Sequence, residues 1–255
     1  MGDVVGLLHP GEMGAAIGAV LRQRGVEVLW ASSGRSAATA ARAEAAGLKD
    51  AGTIAALARN ADVILSVCPP HASRDVAAAV GEFAGVYVDA NAVAPATVRE
   101  IAPGFERFVD GGIVGPPPAE SSPTHLYLSG TEAARVASLF GGTPVDARRV
   151  SDDVGDASAV KAAYAAWTKG SAALLLAIHD VARAEGVDET LFAEWRESIP
   201  DLAQRLERAQ RSAEAKGWRW AGEMEEIAAT FAAAGQPDGF HLAAAEVFRR
   251  YERMF

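Results

Sequence analysis

Through the first 150 residues, apolar side chains occur in short continuous runs separated by longer alanine-rich stretches. Runs that are apolar on both faces are typical of parallel β-strands covered by helices on each side. Their alternation with helices predicts a doubly wound, Rossmann-type α/β sheet. The predicted strands are Val4–Leu8, Val26–Trp30, Val63–Val67, Val86–Asp89, Phe108–Asp110 and a shorter Leu126–Leu128.

After about residue 150 the pattern becomes helical. An apolar stripe with alternating steps of four and three residues predicts one helix over 157–185, roughly 40 Å long at 1.5 Å per residue. The stripe consists of Val160, Tyr164, Trp167, Ser171, Leu174, Ile178 and Val181. Further helices are predicted near 191–197, 201–216, 220–234 and 240–254, with stops at Gly186, Pro200, Gly217 and Gly235–Pro237. We therefore expect a Rossmann-type domain at 1–150 and an all-helical C-terminal domain at 151–255.

Composition narrows the class of protein. Half of the 255 residues are apolar and the net charge is −9, which excludes disorder and argues against a nucleic-acid partner. The single cysteine, Cys68, excludes a disulfide framework and a thiolate zinc site, and no metal is expected. The N-terminal apolar run is too short for a signal peptide or a membrane span. We therefore expect a soluble, cytoplasmic protein without a membrane partner.

A glycine-rich turn follows the first predicted strand directly and leads into a helix. Gly11 and Gly14 match the second and third glycines of the G-x-G-x-x-G dinucleotide motif, and His9 stands at the first. Such a turn brings backbone close to a pyrophosphate at a helix N-terminus. The residues predicted to bind the cofactor here are His9, Pro10, Gly11, Glu12, Met13 and Gly14.

The loop after the second predicted strand indicates which nicotinamide cofactor binds. NAD sites usually place an acid there, whereas this loop offers Ser32, Ser33 and Arg35. Hydroxyl groups and an arginine are suited to a 2′-phosphate. The sequence therefore predicts NADP, with NAD as the alternative.

Four segments of the chain, taken together and in order, resemble the β-hydroxyacid dehydrogenases, the relatives of 6-phosphogluconate dehydrogenase. These segments are 6–14, 68–70, 88–95 and 110–116. More narrowly, His9–Gly11, Gly112–Pro118 and Tyr164–Gly170 resemble a poorly characterised branch with its own helical C-terminal domain. The resemblance covers nearly the whole chain.

The resemblance implies a role for several residues. Asn91 corresponds to a residue near the nicotinamide, and Cys68, Pro69 and Pro70 correspond to a loop that lines the cofactor. Lys161 occupies the place of the catalytic lysine, and the substrate loop corresponds to Val114, Gly115 and Pro116. The chain departs from the family pattern at Val154 and Ala157, where glycines are usual, at Ala165, usually asparagine, and at Val114, usually serine.

Other candidate substrate-binding residues lie in the helical half. Tyr164 and Thr168 follow Lys161 on the same side of the predicted long helix. Glu223 and His241 adjoin apolar helical faces, where a structural role is favoured over substrate contact. His241 is nevertheless included among the predicted substrate-binding residues.

These features predict an NADP-dependent oxidoreductase that transfers hydride between nicotinamide and a small hydroxy acid or carbonyl substrate, with Lys161 as general acid or base. An imine reductase on the same fold is one alternative. A non-catalytic NADP-binding sensor or assembly subunit is another. The resemblance and the apolar stripe also predict a homodimer.

Overall fold

An eight-stranded sheet forms the first half of the chain in the computed structural model, which describes residues 2–122 and 124–251. The strands are β1 (Val4–Leu8), β2 (Glu27–Trp30), β3 (Lys49–Asp50), β4 (Val63–Ser66), β5 (Val86–Asp89), β6 (Arg107–Val114), β7 (Thr124–Ser129) and β8 (Val145–Ser151). Their order is β3-β2-β1-β4-β5-β6-β7-β8. The first six follow the Rossmann order, which confirms the predicted fold class.

The sheet is not entirely parallel, and two of its strands, β3 and β8, are not predicted by the sequence pattern. β7 runs antiparallel to β6, with Gly112 opposite Tyr127, and β8 pairs in parallel with β7. β8 buries little besides Val145, so it lacks the apolar run by which buried strands are recognised. β3 is only two residues long, and both are exposed.

Six helices cover the sheet: α1 (Glu12–Gln23), α2 (Ala37–Ala45), α3 (Ile54–Asn60), α4 (Ser73–Val80), α5 (Pro95–Ile101) and α6 (Ala133–Ser138). Alternate strand residues enter different apolar clusters: Val5 and Leu7 of β1 pack in one, and Leu8 packs in the other. Both faces of the central strands are therefore buried, as their continuous apolar runs predict.

A buried polar network fixes the start of the long helix α7 (Asp156–Ala184) to the sheet. The Asp110 carboxylate on β6 accepts hydrogen bonds from the backbone N–H groups of Gly155 and Ser158 at 3.1 and 2.9 Å, and from the Ser158 hydroxyl at 2.6 Å. Ser129 of β7 donates to the same carboxylate and accepts from the Ala157 N–H, each at 3.1 Å. Asp110 thus satisfies donors that a helix N-terminus leaves free.

The chain divides into two compact units between Lys161 and Ala162, inside α7. The second unit contains the rest of α7, α8 (Asp188–Ser198), α9 (Leu202–Ala233) and α10 (Gly239–Arg249). Its core includes Met224, Ile227 and Phe248. None of the helices in the described ranges is long and apolar enough to cross a membrane.

The prediction that Gly217 ends a helix is wrong, because α9 continues through it without interruption. A Cβ at Gly217 would lie 3.0 Å from the Cβ of Tyr251 and 3.2 Å from its ring. The glycine therefore permits a close approach of the residues that follow α10. Gly186, Pro200 and Gly235–Pro237 do lie between helices, as predicted.

Candidate functional site

The glycine-rich turn between β1 and α1 has a constrained backbone. His9 has φ of 66°, and in the described ranges it is the only non-glycine residue with positive φ. Its carbonyl accepts a hydrogen bond from the Gly11 N–H at 2.7 Å. A Cβ at Gly14 would lie 2.8 Å from that carbonyl oxygen, so only glycine fits without a shift. Gly11 precedes α1, and no side chain caps this helix N-terminus.

The His9 imidazole is neutral at neutral pH. Burial, and secondarily the positive charge of Arg35, lower its pKa to about 4. Its Nδ1 atom is buried and has no hydrogen-bond partner among the described residues. Arg35 lies in the loop after β2, so its effect on the His9 pKa indicates that this loop lies near the glycine-rich turn.

Two serines of the loop after β2, Ser32 and Ser33, interact with the segment that ends β3 and follows it. The Ser32 hydroxyl and the Gly52 N–H hold the pKa of Asp50 below its ordinary value, and the Gly52 N–H donates to Asp50 at 2.7 Å. The Ser33 N–H donates to the Gly52 carbonyl at 2.8 Å. Asp50 ends β3, the strand that the sequence pattern did not indicate, so an acid near this loop was missed.

Arg42 of α2 was also missed. Its Nε donates to the Pro10 carbonyl at 3.3 Å, and its Nη2 donates to the Thr39 hydroxyl at 3.2 Å. Nothing in the sequence motif points to Arg42, because it belongs to the helix after the loop rather than to the loop itself.

Asn91 links the loops after β4 and β5. Its Oδ1 accepts the Cys68 N–H at 2.6 Å, and its Nδ2 donates to the Ser66 hydroxyl at 3.2 Å. Burial, then the charge of Asp89, raise the pKa of the Cys68 thiol to about 12, so it remains protonated. Pro69 is exposed and Pro70 begins a short 3₁₀ turn, which places this loop at the edge of the sheet.

Asp89, at the end of β5, is a buried carboxyl group that titrates near neutral pH. Burial is the main cause that raises its pKa to about 7, and the charge of Asp110 on the neighbouring strand adds to it. Its Oδ1 accepts the Asn91 N–H at 3.1 Å, which acts in the opposite direction. Oδ2 has no hydrogen-bond partner among the described residues.

Lys161 is tied to the predicted substrate loop. Its ammonium donates to the Ile113 carbonyl at 2.6 Å, one residue before Val114. Val114 is buried, whereas Gly115 and Pro116 are exposed, and the Pro116 carbonyl accepts a hydrogen bond from the Thr124 hydroxyl at 2.5 Å.

The other predicted substrate residues lie in the second unit. Tyr164 and Thr168 are exposed on α7, and the Thr168 hydroxyl donates to the Tyr164 carbonyl at 3.1 Å. His241 is buried against the ring of Phe231, with ring centroids 4.3 Å apart. Its Nδ1 lacks a partner among the described residues, and burial lowers its pKa.

Glu223 forms an ion pair with Lys169, and the ammonium of Lys169 also lies 5.6 Å from the centroid of the Trp220 ring. Both charged side chains are mostly buried. Within residues 2–122 and 124–251, no group of three or more His, Cys, Asp or Glu residues is placed to hold a metal.

The predicted cofactor residues therefore lie at the carboxyl ends of β1, β2, β4 and β5, which adjoin one another in the sheet. Ligands of doubly wound sheets bind at this edge. The fold and this edge define a Rossmann-type protein with a helical C-terminal unit.

Comparison with known proteins gives the family. Over 192 residues the chain is 31% identical to an uncharacterised 28.5 kDa protein in the 7S RNA 5′ region of Methanothermus fervidus, covering 73% of this chain and 74% of that protein. Residues 182–251 match a domain of unknown function (DUF1932). The chain belongs to the family of that Methanothermus protein, a poorly characterised branch of the 3-hydroxyacid dehydrogenase-like proteins.

A solved structure supports this assignment. The conserved protein MTH1747, of unknown function and described as structurally similar to 3-hydroxyacid dehydrogenases, is 26% identical, with a TM-score of 0.72 over 97% of this chain and 96% of that one.

Two further structures share the fold at lower identity. Psf3, in complex with NADP⁺ and 2-OPP, is 21% identical, with a TM-score of 0.68 over 97% of this chain and 93% of its own. A reductive aminase from Aspergillus terreus, in complex with NADPH and ethyl levulinate, is 20% identical, with a TM-score of 0.62 over 98% and 93%.

Proposed function

We propose that the protein is an NADP-dependent oxidoreductase acting on a small hydroxy acid or carbonyl compound. The observation that carries this proposal is the turn after β1. His9 is in a left-handed conformation, Gly11 and Gly14 carry no side chain, and no side chain caps the α1 N-terminus that follows. A tight turn that leads into an uncapped helix N-terminus fits the pyrophosphate of a dinucleotide. The complexes of Psf3 and the reductive aminase with NADP⁺ and NADPH support the same cofactor class.

The residues at the carboxyl edge would hold the cofactor. The turn from His9 to Gly14 would bind the pyrophosphate, and Ser33 with Arg35 would face the adenosine ribose. Cys68, Pro69 and Pro70 would line the nicotinamide side, kept in place by Asn91 through the Cys68 N–H. A bound nicotinamide supplies or accepts the hydride.

Lys161 would handle the proton of the reaction. Its ammonium donates to the Ile113 carbonyl at 2.6 Å, which holds it beside the predicted substrate loop. A lysine ammonium can hydrogen-bond a substrate oxygen and protonate a developing alkoxide, and the neutral amine can accept the proton in the reverse direction. The exposed backbone at Gly115 and Pro116 would bind the substrate acid. Tyr164, Thr168 and His241 stay proposed substrate-binding residues.

A reduction of imines is the second candidate. Val114 is buried and Ala165 is apolar, where the wider family has serine and asparagine, so the hydroxyl and amide partners of a hydroxy acid are missing. The fold is shared with a reductive aminase.

The test is turnover of NADPH or NADP⁺ with panels of hydroxy acids, ketones and cyclic imines, for the wild type and Lys161→Met. We expect Lys161→Met to lower kcat by about 100-fold or more, with cofactor affinity retained. Lys49→Met, at an exposed lysine of β3, is the control and should leave turnover unchanged.

The panel also separates the alternatives. Turnover of imines but not of alcohols or ketones would replace the first candidate by the second. Tight NADPH binding without turnover on any panel, and no effect of Lys161→Met on the biological output, would indicate a non-catalytic NADP-binding protein.

We also propose that the protein is a homodimer formed through α7. Tyr164, Trp167, Leu174 and Val181 of the predicted stripe are all more than half exposed, whereas α7 buries alanines and leucines on its other side. Large apolar residues in such a regular row are typical of an interface, and a second copy presents the same row.

A further inference from the structure

Arg42 connects α2 with the glycine-rich turn in a way that fixes its guanidinium group. Its Nε donates to the Pro10 carbonyl at 3.3 Å, and its Nη2 donates to the Thr39 hydroxyl at 3.2 Å. Thr39 is itself held, because its hydroxyl lies 3.1 Å from that of Ser36, the residue that caps α2. Bonds from two different nitrogens restrict the orientation of the guanidinium plane.

The same guanidinium keeps donors available. A guanidinium has five N–H groups, and these two contacts use two of them. Nη1 contacts no hydrogen-bond acceptor in the described part of the chain, and the Arg42 side chain is exposed. An oriented, exposed guanidinium with unused N–H groups beside the glycine-rich turn can bind a phosphate with two hydrogen bonds.

The charges around the loop after β2 make this arginine important. The Ser32 hydroxyl helps to lower the pKa of Asp50, so a charged carboxylate lies next to this loop. An acid at this place favours an unmodified ribose and repels a 2′-phosphate. Without Arg42, Arg35 would have to offset this repulsion by itself.

We propose that Arg42 is a specificity-determining residue that binds the 2′-phosphate of NADP and, together with Arg35, outweighs the repulsion by Asp50. This inference rests on the proposed function, since it assigns a residue to the same cofactor site. NAD lacks only that phosphate, so the selectivity between the two cofactors is the property that Arg42 controls.

The experiment is a fluorescence titration of the purified full-length protein with NADPH and, separately, with NADH. We expect Arg42→Ala to weaken NADPH binding by about 10- to 100-fold and to change NADH binding by less than about twofold. Arg42→Lys, which keeps the charge without the fork, should fall between Arg42→Ala and the wild type for NADPH. Arg59→Ala, at an exposed arginine of α3, is the matched control and should change neither affinity.

The possible results separate a ligand from a structural brace. An equal loss of NADPH and NADH affinity in Arg42→Ala would mean that Arg42 only supports the turn through Pro10, and would overturn the inference. Unchanged NADPH affinity in Arg42→Ala, with a loss only in Arg35→Ala, would overturn it as well. Failure of the wild type to bind either dinucleotide would overturn the proposed function together with the inference. Retained NADH binding shows that each variant is folded.

Discussion

The two units of the chain differ in which side chains they bury and which they expose. The sheet unit buries polar side chains: Asp89, Asn91, Asp110, Ser129 and Ser158 are almost inaccessible, and most of their polar atoms are hydrogen-bonded. The helical unit exposes apolar ones, with Trp167 at 69% and Leu174 at 61% of their accessible surface.

This difference has a physical reason. Buried polar groups cost free energy unless they are paired, so they are kept where geometry must be fixed, as between the loops after β4 and β5. Exposed apolar rows cost free energy in water and are kept where something covers them. The buried polar groups of the first unit therefore fix the geometry of its loops, whereas the exposed apolar row of the second unit is the surface at which we expect a partner.

The largest expected effect concerns that surface. If α7 pairs with a second copy, Leu174→Asp places a charge in an apolar interface and should weaken the dimer by at least about 100-fold, or about 3 kcal/mol. Sedimentation velocity over a concentration series measures this. Phe240→Asp, at a 76% exposed residue of α10, is the control and should leave the association unchanged. A wild type that sediments as a monomer at micromolar concentration would remove the basis for the dimer.

The next effect concerns two buried titratable groups of the sheet unit, whose pKa shifts act in opposite directions. Asp89 has a pKa of about 7 instead of 3.8, so its contribution to stability is present below pH 3.8 and is lost as the pH rises towards 7. His9 has a pKa of about 4 instead of 6.5, so its contribution is present above pH 6.5 and is lost as the pH falls towards 4.

Two substitutions separate these opposing trends. Relative to the wild type, Asp89→Asn should gain up to about 3 kcal/mol in free energy of unfolding at pH 7 to 8, while keeping an acceptor for the Asn91 N–H. Below pH 6.5 the wild type should lose up to about 1.4 kcal/mol of its free energy of unfolding per pH unit through His9. His9→Asn, which tolerates the left-handed backbone, should not show this loss. Urea unfolding from pH 4 to 8 measures both. Parallel pH curves for the three proteins would contradict the assignment.

The sequence predicts much of the sheet unit because its signals are local. Continuous apolar runs mark β1, β4 and β5, and the turn from His9 to Gly14 marks the cofactor edge. β8 was missed because a polar edge strand has no such run. Arg42 and Asp50 were missed because their importance arises from contacts with Pro10 and Ser32, which lie 32 and 18 positions away along the chain.

In the helical unit the sequence pattern predicts the helices but not which of their apolar faces are buried. The stripe from Val160 to Val181 predicts α7, and its apolar residues are as compatible with a core as with a surface. Only the structure shows that Trp167 and Leu174 are exposed. Because glycine destabilises a helix, the sequence predicts a stop at Gly217, whereas in the structure Tyr251 occupies the space that the absent side chain leaves.

The smallest expected effect tests whether each glycine of the turn after β1 is needed for folding or for binding of the cofactor. A Cβ at Gly14 would lie 2.8 Å from the His9 carbonyl oxygen, so Gly14→Ala should lower the free energy of unfolding by about 2 kcal/mol even without cofactor. At Gly11 the nearest atom, the same oxygen, would lie 4.0 Å from a Cβ, and φ is −69°, so Gly11→Ala should not destabilise the protein. Because a pyrophosphate needs close backbone approach there, Gly11→Ala should instead weaken NADPH binding by about 10-fold. Thermal unfolding and NADPH titration of both variants measure the two effects independently. If Gly11→Ala binds NADPH like the wild type, the turn serves only the packing of α1 on the sheet.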